Sequence, residues 1–281
     1  MSPLNTAQLA EHLRRLEQRF NGRFHARVIR LDTGEEFRLR EKEVLPTAST
    51  FKLCVLVELL RQARTGLVDL NSTITWGPEH LRGGDGVLRA MAAPQELTVH
   101  NMAVLMMIVS DNVATARMVD LVGPQHVTET MHDLRLNDTD IHEGLPGGDR
   151  IAEMQQPVST PYDLCELITK IYRREILTPE ACDEIIRILR ANRCNDMLPR
   201  FIPVGEDWGE AAEWIANKTG YGQCRVEVGI VQLEKFAFSL CVFFKPNAPV
   251  PNRFKCLADY PPVLAMAHAC RAIYDAMGNR L

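Results

Sequence analysis

Leu9, Leu13, Leu16 and Phe20 recur at helical spacing across residues 5–20 with charges between them, which predicts an amphipathic helix. Behind it, Phe24, Ala26 and Val28 alternate with polar residues, "LDTGEE" supplies a turn, and Phe37 and Leu39 alternate again. This predicts a hairpin with one wet face. From about 47 to 195 the pattern becomes mainly helical. Residues 50–65 are apolar on nearly every side, so that helix should be central. "TVHNMAVLMMIV" predicts a second helix, capped by Thr98 and ending before Ser110. Further helices are expected at about 112–121, 124–134, 161–174 and 179–191. Residues 136–160 carry glycine and proline breaks and little periodicity. A loop of that length is usually either functional or mobile. After 212 the alternation of strands returns in "EWIANKTG", "CRVEVGIVQL" and "FAFSLCVFFK". Val263, Met266, Ala267, Cys270, Ile273, Tyr274 and Met277 then form a last helical stripe.

This order predicts an α+β fold. If the flanking strands join in one five-stranded antiparallel sheet, residues 1–46 and 196–281 build a discontinuous subdomain with the terminal helices. Residues 47–195 then form an all-helical one. A chain of 281 residues is long enough for two subdomains sharing a core.

Composition adds exclusions. A net charge of −4 gives no support to a nucleic-acid binder. The longest apolar runs are too short for a membrane span. "MSPLNTAQLAEHLRRLEQRF" has no apolar leader core, so the expectation is cytoplasmic as written, or periplasmic or secreted if a leader was removed. The eight cysteines form no C-x-x-C pair and have no zinc-ligand spacing. Most sit in apolar surroundings, as reduced, buried small hydrophobes would. The histidines show no paired ligand spacing. "RGGDGV" lacks the lysine and the strand-then-helix setting of a phosphate loop. No metal or cofactor is expected.

The residues that suggest chemistry begin with "PTASTFKLCVLVELL". Ser49 and Lys52 lie three apart at the head of the apolar helix, where i and i+3 share a face. Free N–H groups and the dipole at a helix N-terminus favour developing negative charge, and burial can bring a lysine toward a useful pKa. Alone, the pair is better explained as a capping serine and a snorkelling lysine. "VSDNVA" then supplies Ser110, Asp111 and Asn112 just after an apolar helix, and "NKTGYG" supplies Lys218, Thr219 and Gly220 at the end of a strand.

These three motifs, in this order and separated by 61 and 108 positions, resemble those of class A β-lactamases and penicillin-binding proteins. "GVLRAM", "STPYDL" and the closing strand and helix are similar too, so the resemblance spans essentially the whole chain. It implies the β-lactamase/transpeptidase-like fold. It implies Ser49 as acylated nucleophile, Lys52 as base or proton relay, Ser110 passing a proton to the leaving nitrogen and Lys218 holding positive potential. Asn112 would bind the substrate's side-chain amide and Thr219 its carboxylate. Backbone N–H groups of Ser49 and Tyr221, the residue after Gly220, would form the oxyanion hole. Asp111 would be structural, and the Tyr221 ring would pack at the rim.

The chain departs from that pattern in the lack of an apolar leader noted above, in the long loop and in the strand after "KTG". The long loop has no Glu-x-x-Leu-Asn, leaving Glu143 and the remoter Glu153 as candidates to activate water, against the plainer expectation of solvated carboxylates. The strand after "KTG" lacks the arginine expected before Gly229. Arg225 could take a carboxylate by another geometry, or simply face solvent. The leading expectation is a serine hydrolase opening a β-lactam or related amide through acyl-Ser49. The alternatives are an esterase, D-aminoacyl peptidase or acyltransferase on the same fold, and a non-catalytic binding homologue.

Overall fold

The first helix, α1 (Thr6–Phe20), starts at Asn5, whose side-chain oxygen accepts the Gln8 N–H at 3.0 Å. It buries Leu9, Leu13 and Leu16 as the spacing requires. The computed structural model describes residues 5–81, 83–141, 156–205, 212–249, 251 and 257–278.

Strands β1 (Gly22–Arg30) and β2 (Glu36–Leu39) form the expected hairpin, with Ala26 opposite Leu39. A two-residue β3 (Leu45–Pro46) leads into a 3₁₀ turn, Ala48–Phe51, and then α2 (Lys52–Arg64). Ser49 therefore lies in the tight turn ahead of α2, not on the α-helix itself. Two short strands that the pattern does not announce, β4 (Thr73–Trp76) and β5 (Gln95–Thr98), pair with each other. Helix α3 (Val99–Ile108) follows, and Thr98 caps it by accepting the Asn101 N–H at 3.1 Å. Next come α4 (Asn112–Val122), α5 (Pro124–Asp133), a short β6 (Val158–Ser159) paired with β3, α6 (Pro161–Tyr172) and α7 (Pro179–Arg190). The chain closes with β7 (Trp214–Tyr221), β8 (Arg225–Gln232), β9 (Ala237–Pro246) and α8 (Pro261–Met277).

The five long strands form one antiparallel sheet in the order β2-β1-β9-β8-β7, so strands from both chain ends are hydrogen-bonded neighbours. Alternate side chains of its strands enter two separate apolar clusters. Phe24, Val28, Phe238, Leu240, Val242 and Phe244 pack with α1 and α8. Val226, Val228, Ile230, Cys241 and Phe243 pack with the helices of the middle segment. Helices therefore cover both faces, and β7 is left as an edge strand whose outer side meets the Ser49 turn. Among the described residues, no helix is long and apolar enough to cross a membrane. Six cysteines are buried free thiols, Cys194 is half-buried, and Cys256 lies outside the described residues.

Every residue of α2 from Lys52 to Leu60 is buried, including Glu58. The Glu58 carboxylate accepts from Arg61 Nε and Nη2 at 2.6 and 2.8 Å, from Gln62 Nε2 at 2.7 Å and from Thr130 Oγ1 at 2.7 Å. This ties α2 to α5 and fixes the helix that carries Lys52. Removing a buried charge while leaving its donors unpaired costs roughly 3–5 kcal/mol. Glu58→Ala is expected to lower the unfolding free energy by about 3 kcal/mol or more, measured by urea denaturation. An effect below about 0.5 kcal/mol, the size of an ordinary surface change, would show that the carboxylate does not anchor α2.

Candidate active site

Two residues with positive φ shape the site. Ala48, immediately before Ser49, has φ 47°, and Ser110 has φ 54°. Non-glycine residues in this region cost of order 1–3 kcal/mol and persist where the surroundings over-determine them. At Ser110 the constraint is visible. Asp111 caps α4, its Oδ1 accepting the Ala114 N–H at 2.9 Å. Its Oδ2 accepts the N–H groups of Val87 and Leu88 at 2.7 and 2.8 Å. Asp111 is thus bonded to backbone, as the resemblance implies. The "GGDG" stretch lies against it. A Cβ on Gly86 (φ 117°) would stand 2.3 Å from Asp111 Oδ2, and one on Gly84 (φ 92°) 2.4 Å from Asn112 Nδ2. Small residues are needed there for the loop to press on the Ser110–Asn112 turn.

The Lys52 ammonium is buried and donates to Ser110 O at 2.8 Å, Ser110 Oγ at 2.9 Å and Asn112 Oδ1 at 3.0 Å. Lys218, also buried, donates to Ser110 Oγ at 3.2 Å and to Thr219 O at 2.9 Å. The Ser110 hydroxyl is therefore shared between two lysines. Burial, and secondly the like charge of Lys218, hold Lys52 well below the usual lysine range. Burial lowers Lys218 to about 8, against the opposing pull of Cys194, Glu227 and Asp85. Ser49 is half-buried, and its hydroxyl has no hydrogen-bond partner among the described residues. The i, i+3 spacing that suggested a direct Ser49–Lys52 contact is overridden by the three acceptors around Ser110.

Edge strand β7 closes the other side. A Cβ on Gly220 would lie 2.9 Å from Thr47 O, 3.2 Å from Ala48 Cβ and 3.3 Å from Ser49 N. Only a glycine lets the strand edge approach the Ser49 amide this closely. Asn112 is engaged at both ends, because its Nδ2 also donates to Gly83 O at 2.8 Å. Thr219 is buried. Its hydroxyl lies 2.7 Å from Glu227 Oε1 and 3.3 Å from Cys194 O. Tyr221 is half-buried, and its phenol donates to Asp196. Arg225 does not face solvent. It is fully buried, donating to Gly222 O at 2.6 Å with its guanidinium 5.9 and 5.8 Å from the Tyr221 and Tyr260 rings. Glu143 and Glu153 lie outside the described residues. Among the described residues, no cluster of His, Cys, Asp and Glu could hold a metal ion.

A family model described as "Beta-lactamase enzyme family" matches residues 8–277. The chain belongs to that family. It is a serine β-lactamase-like hydrolase. It is 23% identical over 220 residues to beta-lactamase SME-1 of Serratia marcescens, covering 75% of this chain and 70% of that one. The fold is similar to that of a beta-lactamase from Sphaerobacter thermophilus, with a TM-score of 0.85 at 22% identity over 97% and 98% of the two chains. PBP-A gives a TM-score of 0.82 at 23% identity over 99% and 98%. A point mutant of PBP-A, solved as an acyl-enzyme complex with penicillin G, gives 0.81 at 22% identity over 99% and 100%.

Within this β-lactamase-family site, the sequence motifs do not mark Glu227 or Asn217. Glu227 on β8 lies opposite Thr219 and is fully buried. Besides Thr219, it accepts from Asn217 Nδ2 at 2.9 Å and from the Leu198 N–H at 3.4 Å. The available signal was a single acid inside "CRVEVGIV", a run that is otherwise apolar around it and should have no wet face. Burial raises its pKa to about 7. A raised carboxylate pKa contributes stability that is full below the unfolded value and is lost as pH rises through the folded one. The lost contribution is on the order of 3 kcal/mol. Glu227→Gln should therefore gain in melting temperature relative to the parent as pH rises from about 4.5 to about 8. A melting-temperature difference that stays constant over that range would contradict the assignment.

Proposed function

We propose that the protein opens a β-lactam or related cyclic amide through a covalent ester on Ser49. The observation that carries this reading is the hydrogen-bonded chain Lys52–Ser110–Lys218, set beside a serine whose hydroxyl is uncommitted. Neutral Lys52 takes the Ser49 proton, directly or through Ser110, as Oγ attacks the carbonyl carbon. The N–H groups of Ser49 and Tyr221 receive the oxyanion. Ser110 passes its proton to the leaving nitrogen as the C–N bond breaks, and Lys218 in its charged form supports that transfer. Asn112 exchanges its bonds to Lys52 and Gly83 for the substrate's side-chain amide. A water then cleaves the ester. The group that activates this water belongs to the segment carrying Glu143 and Glu153, or to another part of the site. The acyl adduct of the structurally similar PBP-A mutant supports the chemistry.

Intact-mass measurement after incubation with penicillin G should show addition of the whole penicillin mass to the parent chain and none to Ser49→Ala. An equal adduct on Ser49→Ala would contradict the proposal. The acylation rate should fall at low pH as Lys52 becomes charged, and fall again above about 8 as Lys218 loses its proton. Lys52→Met should slow acylation at least ~10²-fold, the usual contribution of a general base. A rate that is flat with pH and insensitive to Lys52 would contradict the assignment.

A further inference from the structure

Glu227 is a buried, chargeable group that the mechanism above does not use. It stands directly behind Thr219, one residue from the Gly220 backbone that packs on the Ser49 amide. The Thr219 hydroxyl accepts from Asn217 Nδ2 at 3.4 Å and has one proton to give; of the two acceptors within its reach, Glu227 Oε1 at 2.7 Å is nearer than Cys194 O at 3.3 Å. While Glu227 is ionised, that proton is committed to it. An incoming group then meets the lone pairs of Thr219 backed by a negative charge in low dielectric. Protonation reverses the bond. Of the three donors around the carboxylate, the Asn217 amide and the Leu198 N–H cannot accept, so the added proton sits on Oε1 and is donated to Thr219 Oγ1. The Thr219 proton is then released from Glu227 and is shared between Cys194 O, 3.3 Å away, and an incoming acceptor, and the opposing charge is gone.

We propose that Glu227 makes the Thr219 end of the site selective by charge: ionised, it admits uncharged or hydrogen-donating groups and disfavours a carboxylate; protonated, it admits a carboxylate. Glu227 acts through Thr219, so it is a positioning residue. The inference rests on the reading above only in supposing that substrates reach Ser49 along β7. Burial places the Glu227 titration near neutrality, about 7, so both states are sampled at ordinary pH. The titratable groups that share its field are Lys218 and Tyr221 on β7, Cys194 and Asp196 on the segment before it, Cys241 on β9 and Cys270 on α8. Of these, Lys218 titrates next, at about 8, which sets the upper limit of a clean test.

The test is equilibrium binding by calorimetry to Ser49→Ala, which cannot be acylated at that position. The ligands are penicillin G and its uncharged methyl ester, at about pH 5.5 and about pH 7.5. Penicillin G stays ionised across this range, so the protein supplies any pH dependence. The expected result is at least about threefold weaker binding of penicillin G at the higher pH, with the ester unchanged. Adding Glu227→Gln should abolish the pH difference, since its amide donates to Thr219 at both values. Equal pH dependence for acid and ester would overturn the proposal, as would a pH effect that survives Glu227→Gln. So would failure of both ligands to bind. The acid–ester comparison needs no change at Glu227, so it stands even if the Gln variant folds poorly. Ester formation is not read in this assay. Charge-selective binding by a chain that never acylates would contradict the function proposed above and leave this inference standing.

Discussion

An ammonium group cut off from water must find acceptors inside the protein or give up its proton, and the position of Lys52 depends on that constraint. It finds three acceptors, two on Ser110 in the turn after α3 and one on Asn112, the first residue of α4. Holding that turn requires the left-handed Ser110, the Asp111 carboxylate on three backbone N–H groups, and glycines at 84 and 86. The burial that makes the arrangement costly is the same burial that lowers the lysine's pKa. Glu58 belongs to this support, because it anchors the far side of α2 to α5. The apolar helix is therefore a rigid mount for Lys52, and its hydrophobicity keeps the side chain dry.

The opposite wall depends on close approach of backbone. Edge strand β7 lies against the Ser49 turn because Gly220 has no side chain. The same strand sends Lys218 to one face and Thr219 to the other by simple alternation. Lys218 thereby joins the polar chain at Ser110, while Thr219 joins Glu227 and Asn217. Two buried polar networks thus hang on adjacent residues of one strand.

Elements with strong periodicity were legible in the sequence. The stripe of α1, the cap at Thr98, the alternation in β7 to β9 and the final helix all follow from burial on one face or two. The pairs β4–β5 and β3–β6 were not legible, because two- to four-residue strands carry too little pattern. The motif residues were legible by spacing, but their partners were not. Lys52 prefers Ser110 and Asn112 to Ser49, and Arg225 is buried under aromatic rings, for reasons set by tertiary neighbours. Glu227 was visible as an anomaly, an acid in a run of valines. Its meaning depends on the cross-strand register that puts it opposite Thr219. In the sequence "RGGDGV" shows only what it lacks as a phosphate loop, whereas in the structure Gly84 and Gly86 fit against Asn112 and Asp111.

The central claim is that burial holds the Lys52 pKa well below the ordinary lysine range, which makes its amine available to take up a proton. The direct measurement is a pH titration of the Lys52 side chain by NMR of protein carrying isotope-labelled lysine, with the signal assigned by its loss in Lys52→Met. The account predicts a titration midpoint well below the ordinary lysine value, with burial as the cause and the charge of Lys218 as the second contributor. A midpoint at or above that ordinary value would show that the three acceptors keep the ammonium charged, and would contradict the account.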